Sequence, residues 1–213
     1  MSDLFLYVDA QFESPWAMSA FVALEEKGLP YELKTLSLHK GEHKQPGYGP
    51  HTGRVPALRH GDYWLAESTA IAEYVAETFP FPKYPRIFPE NLQQRGVCRE
   101  MQMWLRSDLM PIRAERPTTM VWWKEPSPKP LSKDAVAAKE RFLKGIEPLI
   151  SESRTTLFEH WCIADADLAV MINRLAFNGE ALPAKVKAYA EANWKRPSVA
   201  KWNALKRPQT PEH

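Results

Sequence analysis

The chain has 213 residues and a formal net charge of +2, with 44% hydrophobic and 25% charged residues. These values are ordinary for a globular protein, and the length suits one large domain or two small ones. A charge so close to neutral argues against nucleic acid or an anionic membrane as the main partner. No apolar run approaches the length of a membrane span, and the first residues lack the basic and apolar regions of a secretory signal, so we expect a cytoplasmic protein.

The beginning of the chain alternates between strand and helix patterns. Leu4–Val8 (LFLYV) is a short apolar run of strand-forming residues, and Tyr31–Leu38 alternates polar and apolar side chains like a second strand. The stretch between them has helical periodicity. Ser14 suits the N-cap of this helix, Pro15 its first position and Gly28 its end. The pattern predicts a strand, a helix and a second strand.

A hairpin and another helix complete this first domain. Ala57–Ala66 indicates a hairpin closed by a Gly-Asp turn, and the residues from Ser68 to Phe79 are helical again, with Ser68 as the predicted cap. A strand–helix–strand passage favours a parallel pair with a right-handed crossover, and the hairpin adds an antiparallel pair. The order of elements predicts a small α/β domain over residues 1–79.

The rest of the chain is predicted to be mostly helical. Four prolines within Phe79–Pro89 forbid a helix or a central strand, so we expect a semi-rigid linker over residues 80–89 and an all-α domain over residues 90–213. The two cysteines, Cys98 and Cys162, form no CxxC motif and are interpreted as structural thiols. Helices are predicted at Asn91–Met110, Lys133–Ser151, Asp165–Asn178, Pro183–Trp194 and Ser198–Leu205.

This order of elements, together with several short motifs, resembles the glutathione transferase family. The matching stretches are FESPW (Phe12–Trp16), GEHKQP (Gly41–Pro46), GRVPAL (Gly53–Leu58), ESTAIAEYV (Glu67–Val75) and WCIADADLAVMINRL (Trp161–Leu175). Trp104–Thr118 further resembles the bacterial YfcF-type branch. The resemblance implies a thioredoxin-like domain followed by a helical domain, glutathione as co-substrate, and a homodimer.

The resemblance makes Ser14 the candidate catalytic residue. At a helix start its hydroxyl and the free backbone N–H groups point at whatever is bound there, and such a place favours a thiolate. From spacing alone, a plain N-cap is the simpler interpretation of Ser14. Tyr7 is the rival catalytic residue, because some branches of the family use a Tyr near the end of the first strand. A half-buried strand residue is the alternative for Tyr7.

Two further motifs are expected to bind glutathione. Val55 and Pro56 resemble the family's cis-proline corner, in which the Val55 backbone would pair with the peptide part of glutathione as an extra strand does. A trans-proline at a strand start is the alternative. Glu67 and Ser68 resemble the pair that holds the γ-glutamyl end, since Ser68 and the helix N-terminus suit a carboxylate and Glu67 suits an ammonium. The alternative here is a capping Ser beside a Glu that favours the helix dipole.

The polar segment after the second strand supplies two more candidates. His43 and Lys44 lie where the family often binds the glycine carboxylate of glutathione, and solvated loop charges are the alternative. The stretch His39–His43 (HKGEH) superficially resembles a metal site. It lacks a helix and a third ligand, so no metal is expected.

A pocket for the second substrate, a small electrophile, peroxide or disulfide, is expected between the two domains. Its candidate residues are Phe12, Trp16, Met110 and Arg113, with Trp122 and Trp123 as further candidates. One departure from the family is that Cys162 stands where a Ser/Thr-x-x-Asp box commonly begins, which predicts a weakened cap. A non-enzymatic glutathione-binding protein of the same fold is the alternative function. Glutaredoxin-like chemistry would need a cysteine where the chain has Ser14.

Overall fold

The structure is a computed structural model that describes residues 3–208. The chain divides into two compact units. The first consists of the residues up to Ile87 together with those from Ser198 onward, and the second runs from Phe88 to Pro197. The domain boundaries predicted at residues 79 and 90 stay a prediction. Within residues 3–208, no helix is long and apolar enough to cross a membrane.

The first unit contains a sheet of four strands in the described residues. The strands are β1 (Leu4–Asp9), β2 (Glu32–Leu36), β3 (Ala57–His60) and β4 (Tyr63–Ala66), arranged in the order β2-β1-β3-β4. Strand β1 pairs in parallel with β2, whereas the β1–β3 and β3–β4 pairs are antiparallel. The predicted parallel pair and the predicted hairpin are therefore both confirmed.

Two helices pack on this sheet and on each other, α1 (Pro15–Lys27) and α2 (Ser68–Thr78). The bounds of α1 follow its capping residues. The Ser14 hydroxyl accepts a hydrogen bond from the Ala17 N–H at 3.2 Å, and Gly28 ends the helix in the left-handed region at φ 64°. Leu6 and Leu58, among other apolar side chains of the sheet, are fully buried beneath the helices.

The start of α2 differs from the prediction. Ser68 was predicted to cap this helix, but the cap position is Glu67, and Ser68 is the first helical residue. Strand β4 ends at Ala66, so a single residue must turn the chain from strand to helix. Glu67 makes this turn with φ 71°, and its side chain makes no capping hydrogen bond.

The second unit is helical in the described residues, which confirms the predicted fold class of an α/β thioredoxin-like domain followed by an all-α domain. Its helices are α3 (Leu92–Ser107), α4 (Met110–Glu115), α5 (Thr118–Trp123), α6 (Lys133–Ile146), α7 (Ile163–Ala176) and α8 (Ala184–Trp194). The last helix, α9 (Pro197–Asn203), lies almost wholly in the first unit.

Two of the predicted helices were too long. Helix α3 ends at Ser107, and the chain turns at Leu109, which has φ 61°, before α4 begins. Helix α6 ends at Ile146 rather than Ser151, because Pro148 follows and cannot donate the next helical hydrogen bond. Helices α4 and α5 were not predicted, since six residues are too few to show a helical period.

Helix α7 lies in the interior of the second unit, and Cys162 is its N-cap residue in place of a Ser or Thr. The Asp165 carboxylate accepts hydrogen bonds from the backbone N–H groups of Cys162 at 2.8 Å and Leu157 at 2.7 Å, and from the Tyr189 hydroxyl at 2.6 Å. Asp165 therefore holds the start of α7 through its own side chain. Cys98 and Cys162 are both free and buried, as expected of structural thiols.

Candidate functional site

The predicted glutathione-binding stretches all lie at one end of the sheet. The register pairs Tyr7 with Ala57 and Ala57 with Ala66, and neighbouring strands of a sheet lie about 4.8 Å apart. Three segments therefore lie side by side at this end of the sheet. They are the loop from β1 to Ser14, the Val55–Pro56 pair before β3 and the Glu67–Ser68 pair after β4. Strand β2 also ends at this end of the sheet, since its last residue, Leu36, pairs with Asp9.

Ser14 is half-buried at the N-terminus of α1, and its hydroxyl has two separable roles. A lone pair of Oγ accepts from the Ala17 N–H, which makes Ser14 a true N-cap. Within residues 3–208, the hydroxyl proton has no acceptor. Because capping uses a lone pair and thiol activation would use the proton, the two interpretations of Ser14 are compatible.

The loop before Ser14 is held by a buried carboxylate that the sequence analysis missed. Asp9 is only 2% exposed, and its Oδ2 accepts from the Glu13 N–H at 2.7 Å while Oδ1 accepts from the Ser14 N–H at 3.3 Å. Burial raises the pKa of Asp9, and these two backbone hydrogen bonds act in the opposite direction. An Asp directly after an apolar strand was the available signal, but such a residue is usually solvated.

The Val55–Pro56 peptide bond is cis, the state that the resemblance implies. Pro56 is buried and Val55 is half-buried. In the described part of the chain, the Val55 N–H and C=O have no main-chain partner, whereas the carbonyl of the preceding Arg54 accepts from the Tyr48 hydroxyl at 2.7 Å. The backbone of Val55 can therefore pair with an extended peptide.

The Glu67–Ser68 pair combines an exposed carboxylate with a buried hydroxyl-bearing side chain. Glu67 is exposed, and Ser68 is 3% exposed at the first turn of α2. The positive φ of Glu67 is unfavourable for a side-chain-bearing residue and costs about 1–3 kcal/mol. Strain of this kind concentrates where the chain must aim a group at a ligand.

His43 and Lys44 lie in a short 3₁₀ turn, Glu42–Lys44, that follows β2. The His43 carbonyl oxygen lies 3.8 Å from the position that a Cβ on Gly53 would occupy, so this turn adjoins the Val55–Pro56 corner. Glu42 accepts a hydrogen bond from the Ser37 N–H at 2.8 Å.

Among residues 3–208, no group of three or more His, Cys, Asp or Glu side chains could hold a metal ion.

Tyr7, the rival catalytic residue, is part of an aromatic cluster on the sheet. Its ring centroid lies 4.9 Å from that of Trp64 and 6.0 Å from that of Tyr48. Burial raises the pKa of Tyr48 in this cluster. Tyr7 is half-buried, and its neighbours in β1, Leu6 and Val8, are fully buried. This packing favours the interpretation of Tyr7 as a half-buried strand residue.

The candidates for the second-substrate pocket are divided between the two units. Phe12 and Trp16 belong to the first unit, Met110 and Arg113 to the second, and a shared pocket stays a prediction. Met110 is 55% exposed, and Arg113 donates to the Arg106 carbonyl at 2.8 Å. Trp122 and Trp123 lie in α5, where the Trp122 ring stacks on that of Trp194 at 5.2 Å, a packing role.

Phe12 is fixed by the C-terminal part of the first unit. Its backbone has φ 52°, and its ring meets that of Trp202 edge-on at 5.6 Å. The Arg207 guanidinium donates through Nε to the Phe12 carbonyl at 3.3 Å. The sequence analysis missed Arg207, because nothing in the pattern places the end of the chain beside the Ser14 loop.

Comparison with known proteins supports the resemblance over nearly the whole chain. Residues 13–78 match the family described as "Glutathione S-transferase, N-terminal domain", and residues 91–207 match "Glutathione S-transferase, C-terminal domain". A glutathione S-transferase from Dianthus caryophyllus is 35% identical over 58% of this chain, and glutathione S-transferase F9 from Arabidopsis thaliana is 40% identical over 44%. The matched segments span 58% and 42% of the lengths of these two relatives.

A solved structure also matches nearly the whole chain. A glutathione transferase homologue from Burkholderia, solved with bound glutathione, is 41% identical, with a TM-score of 0.79 over 93% of this chain and 95% of that one. By these matches, which cover both of its predicted domains, the chain belongs to the glutathione S-transferase family.

Proposed function

We propose that this protein is a glutathione transferase of the Ser type, in which Ser14 activates the glutathione thiol. The observation that carries the proposal is the free hydroxyl proton of Ser14, within the described residues, at the same end of the sheet as Val55–Pro56 and Glu67–Ser68. The Burkholderia homologue and a second homologue from Sulfitobacter, 25% identical with a TM-score of 0.68, were both solved with bound glutathione.

Each of these segments suits a different part of glutathione. The Val55 backbone would pair with the central peptide through its N–H and C=O. Ser68 and the start of α2 would receive the γ-glutamyl carboxylate, and the exposed Glu67 would receive the ammonium. His43 and Lys44, in the adjoining turn, would receive the glycine carboxylate.

Ser14 would stabilise the thiolate by donating its proton to the sulfur. A hydrogen bond to a charged group contributes about 1.5–3 kcal/mol, and the N-terminus of a helix adds about 0.3–1 kcal/mol. Because Ser14 Oγ lies at the start of α1, the hydroxyl and the helix N-terminus would act on the same sulfur atom of glutathione. Together they shift the thiol toward its ionised form near neutral pH.

Ionisation alone gives a modest gain in rate. Lowering the pKa of a thiol from about 8.5 to about 6.5 raises the thiolate fraction at pH 7 roughly 25-fold. The same change weakens each thiolate roughly 8-fold, because nucleophilicity falls with pKa along a Brønsted slope of about 0.45. The net factor is near three, so most of the catalysis must come from holding the thiolate against the second substrate.

The proposed second substrates share a centre that a thiolate attacks. With an electrophilic carbon, a carbon–sulfur bond forms and the leaving group takes the electron pair. With a peroxide, a sulfur–oxygen bond forms as the O–O bond breaks, which gives glutathione sulfenic acid, and the other oxygen leaves with the electron pair and is protonated to an alcohol or water. With a disulfide, a mixed disulfide forms as the S–S bond breaks, and the other sulfur leaves as a thiolate. We further propose that the protein is a cytoplasmic homodimer, as the resemblance to the family implies, and that it belongs to the YfcF-type branch, which Trp104–Thr118 resembles.

The experiment combines glutathione titration calorimetry with turnover on a panel of electrophiles, peroxides and disulfides. We expect binding, turnover on at least one class, and a loss of turnover in Ser14→Ala. The matched control is Ser132→Ala, since Ser132 caps α6 by accepting from the Ala135 N–H at 3.3 Å and lies in the second unit. Binding without turnover on any class would instead support the non-enzymatic glutathione-binding protein.

A further inference from the structure

We propose that Asp9 and Arg207 are positioning residues that set the direction of the Ser14 hydroxyl. This inference rests on the proposed function of Ser14. The segment concerned, residues 9–14, is called here the 9–14 loop. It joins the end of β1 to the start of α1, and both of its proposed supports lie in the first unit with it.

Asp9 holds the second half of this loop through two successive backbone N–H groups. One carboxylate oxygen accepts from the Glu13 N–H and the other from the Ser14 N–H, at 2.7 and 3.3 Å. The Phe12 N–H also donates to the Asp9 carbonyl at 3.1 Å. With the peptide planes on either side of Glu13 fixed in this way, the Cα–Cβ bond of Ser14 has one direction relative to the end of β1.

Arg207 holds the middle of the loop, at Phe12, from the C-terminal part of the chain. Its Nε donates to the Phe12 carbonyl at 3.3 Å, and its two terminal nitrogens donate to the carbonyls of Trp202 at 3.2 Å, Asn203 at 3.1 Å and Leu205 at 3.2 Å. These three carbonyls belong to the last turn of α9 and the residues just after it. Arg207 therefore ties the end of α9 to the 9–14 loop, with the guanidinium at the negative end of the helix.

The C-terminal segment that carries Arg207 is itself firmly attached to α1. Trp202 is fully buried, and its ring contacts those of Phe12 at 5.6 Å and Phe21 at 5.3 Å. Lys201 also donates to the Glu25 carboxylate at 2.5 Å. Ser14 lies at the start of α1. Asp9, Arg207, the 9–14 loop and α1 are therefore packed together.

Opposite charges across the loop reinforce this arrangement. Burial raises the pKa of the Asp9 carboxyl, the Glu13 and Ser14 N–H groups and, by a smaller amount, the Arg207 guanidinium act to lower it, and Asp9 raises the pKa of Arg207. Burial nevertheless lowers the pKa of Arg207 to about 10, which leaves the guanidinium charged at neutral pH. The loop thus lies between a buried carboxylate on one strand and a cation from the other end of the chain.

The test is a double-mutant cycle with Ser14. Asp9→Asn and Arg207→Gln are made in the wild-type and Ser14→Ala backgrounds, and kcat, KM for glutathione and the pKa of the bound glutathione thiol are measured. In the wild-type background we expect kcat at pH 7 to fall about tenfold and the thiol pKa to rise, with KM changed less than about threefold, because a misplaced catalytic group loses rate rather than binding.

The decisive measurement is the effect of the same two substitutions on kcat in the Ser14→Ala background. We expect Asp9→Asn and Arg207→Gln to have less than about a twofold effect on kcat in Ser14→Ala, because residues that act through one group are not additive. Arg207→Lys should recover part of the lost activity. The matched controls are Lys206→Gln, exposed beside Arg207, and Asp62→Asn, exposed in the hairpin turn, and neither should change any of the three quantities.

Independent, additive losses in the two backgrounds would overturn the inference, and so would unchanged kcat and thiol pKa in Arg207→Gln. If Asp9→Asn does not fold, Arg207→Gln alone decides the question, since Arg207 is only half-buried. Failure of the proposed function has a different signature: Ser14→Ala itself would then leave the thiol pKa unchanged. An effect of Ser14→Ala without one of Arg207→Gln would contradict only the inference drawn here.

Discussion

Glu67 is the residue at which a functional requirement and backbone stability conflict most directly. Its φ of 71° suits glycine, yet the chain keeps an exposed carboxylate there, at the start of α2. A glycine would relieve the strain, which costs about 1–3 kcal/mol. Retaining the glutamate is understandable if its carboxylate holds the ammonium group of glutathione.

We predict that Glu67→Gly stabilises the protein while weakening glutathione binding. The free energy of unfolding should rise by about 1 kcal/mol as the strain is relieved. KM for glutathione should rise about 10-fold or more, because a charge-assisted hydrogen bond contributes about 1.5–3 kcal/mol. Chemical denaturation and steady-state kinetics measure the two effects.

Two further variants separate charge from strain. Glu67→Gln keeps the side-chain shape, so it should raise KM without the gain in stability. Glu77→Gln, exposed near the other end of α2, is the matched control and should change neither quantity. A Glu67→Gly variant that binds glutathione as well as the wild type would contradict the assigned role.

The site residues show which features a sequence reveals and which it does not. Ser14 was predicted as an N-cap because Pro15 and Gly28 give local signals that do not depend on the rest of the fold. Asp9 was missed, because its burial depends on tertiary packing around the end of β1. Ser68 was assigned the wrong position, because the sharp turn at Glu67 follows from where β4 ends.

At the scale of elements, α9 is the helix whose attachment the sequence did not indicate. It follows α8 directly, yet its residues from Ser198 onward are grouped with the first unit, where Trp202 is fully buried against Phe12 and Phe21. Periodicity predicted the helix itself, at Ser198–Leu205. It could not predict its partner, because one helix face carries no information about which surface covers it.

We predict that Trp202→Ala destabilises the protein by about 3–5 kcal/mol, the usual cost of removing a large buried aromatic side chain. Urea denaturation measures the change. Lys201→Ala is the matched control in the same helix, because its ion pair with Glu25 is largely exposed on the lysine side and contributes at most about 1 kcal/mol. Equal effects of the two substitutions would show that α9 does not contribute to the core of the first unit.

For the whole molecule, the two-part architecture was predictable, whereas its short helices were not. The change from mixed to helical periodicity, with the proline-rich stretch Phe79–Pro89 between the two patterns, predicted an α/β domain followed by an all-α domain, and the family resemblance made the first thioredoxin-like. Helices α4 and α5 are only six residues each and interrupt the pattern with the turns at Leu109 and Lys124, which have positive φ. Such turns are set by packing within the second unit rather than by local preference.

Stability should depend on pH through the buried carboxyl of Asp9. Burial raises its pKa above the ordinary 3.8, so the folded protein binds this proton more tightly than the unfolded chain does. The contribution is therefore fully present below about pH 3.8 and is lost as the pH rises through the folded-state pKa. The loss of unfolding free energy caused by Asp9→Asn should be larger near pH 4 than near pH 7.

Urea denaturation of the wild type and Asp9→Asn at several pH values between about 4 and 7 measures this difference. Asp62→Asn, at an exposed position, is the control and should show no such pH dependence. A cost of Asp9→Asn that grows with pH would mean that the folded protein favours the charged form of Asp9.

The ionisation of bound glutathione is the most direct test of Ser14 activation. Ultraviolet absorption of the thiolate, followed across pH with saturating glutathione, gives the pKa of the bound thiol in the wild type and in Ser14→Ala. We expect a wild-type value about 1–2 below the ordinary thiol value of about 8.5, and a value near 8.5 in Ser14→Ala. The same pKa in both proteins would contradict the role of Ser14.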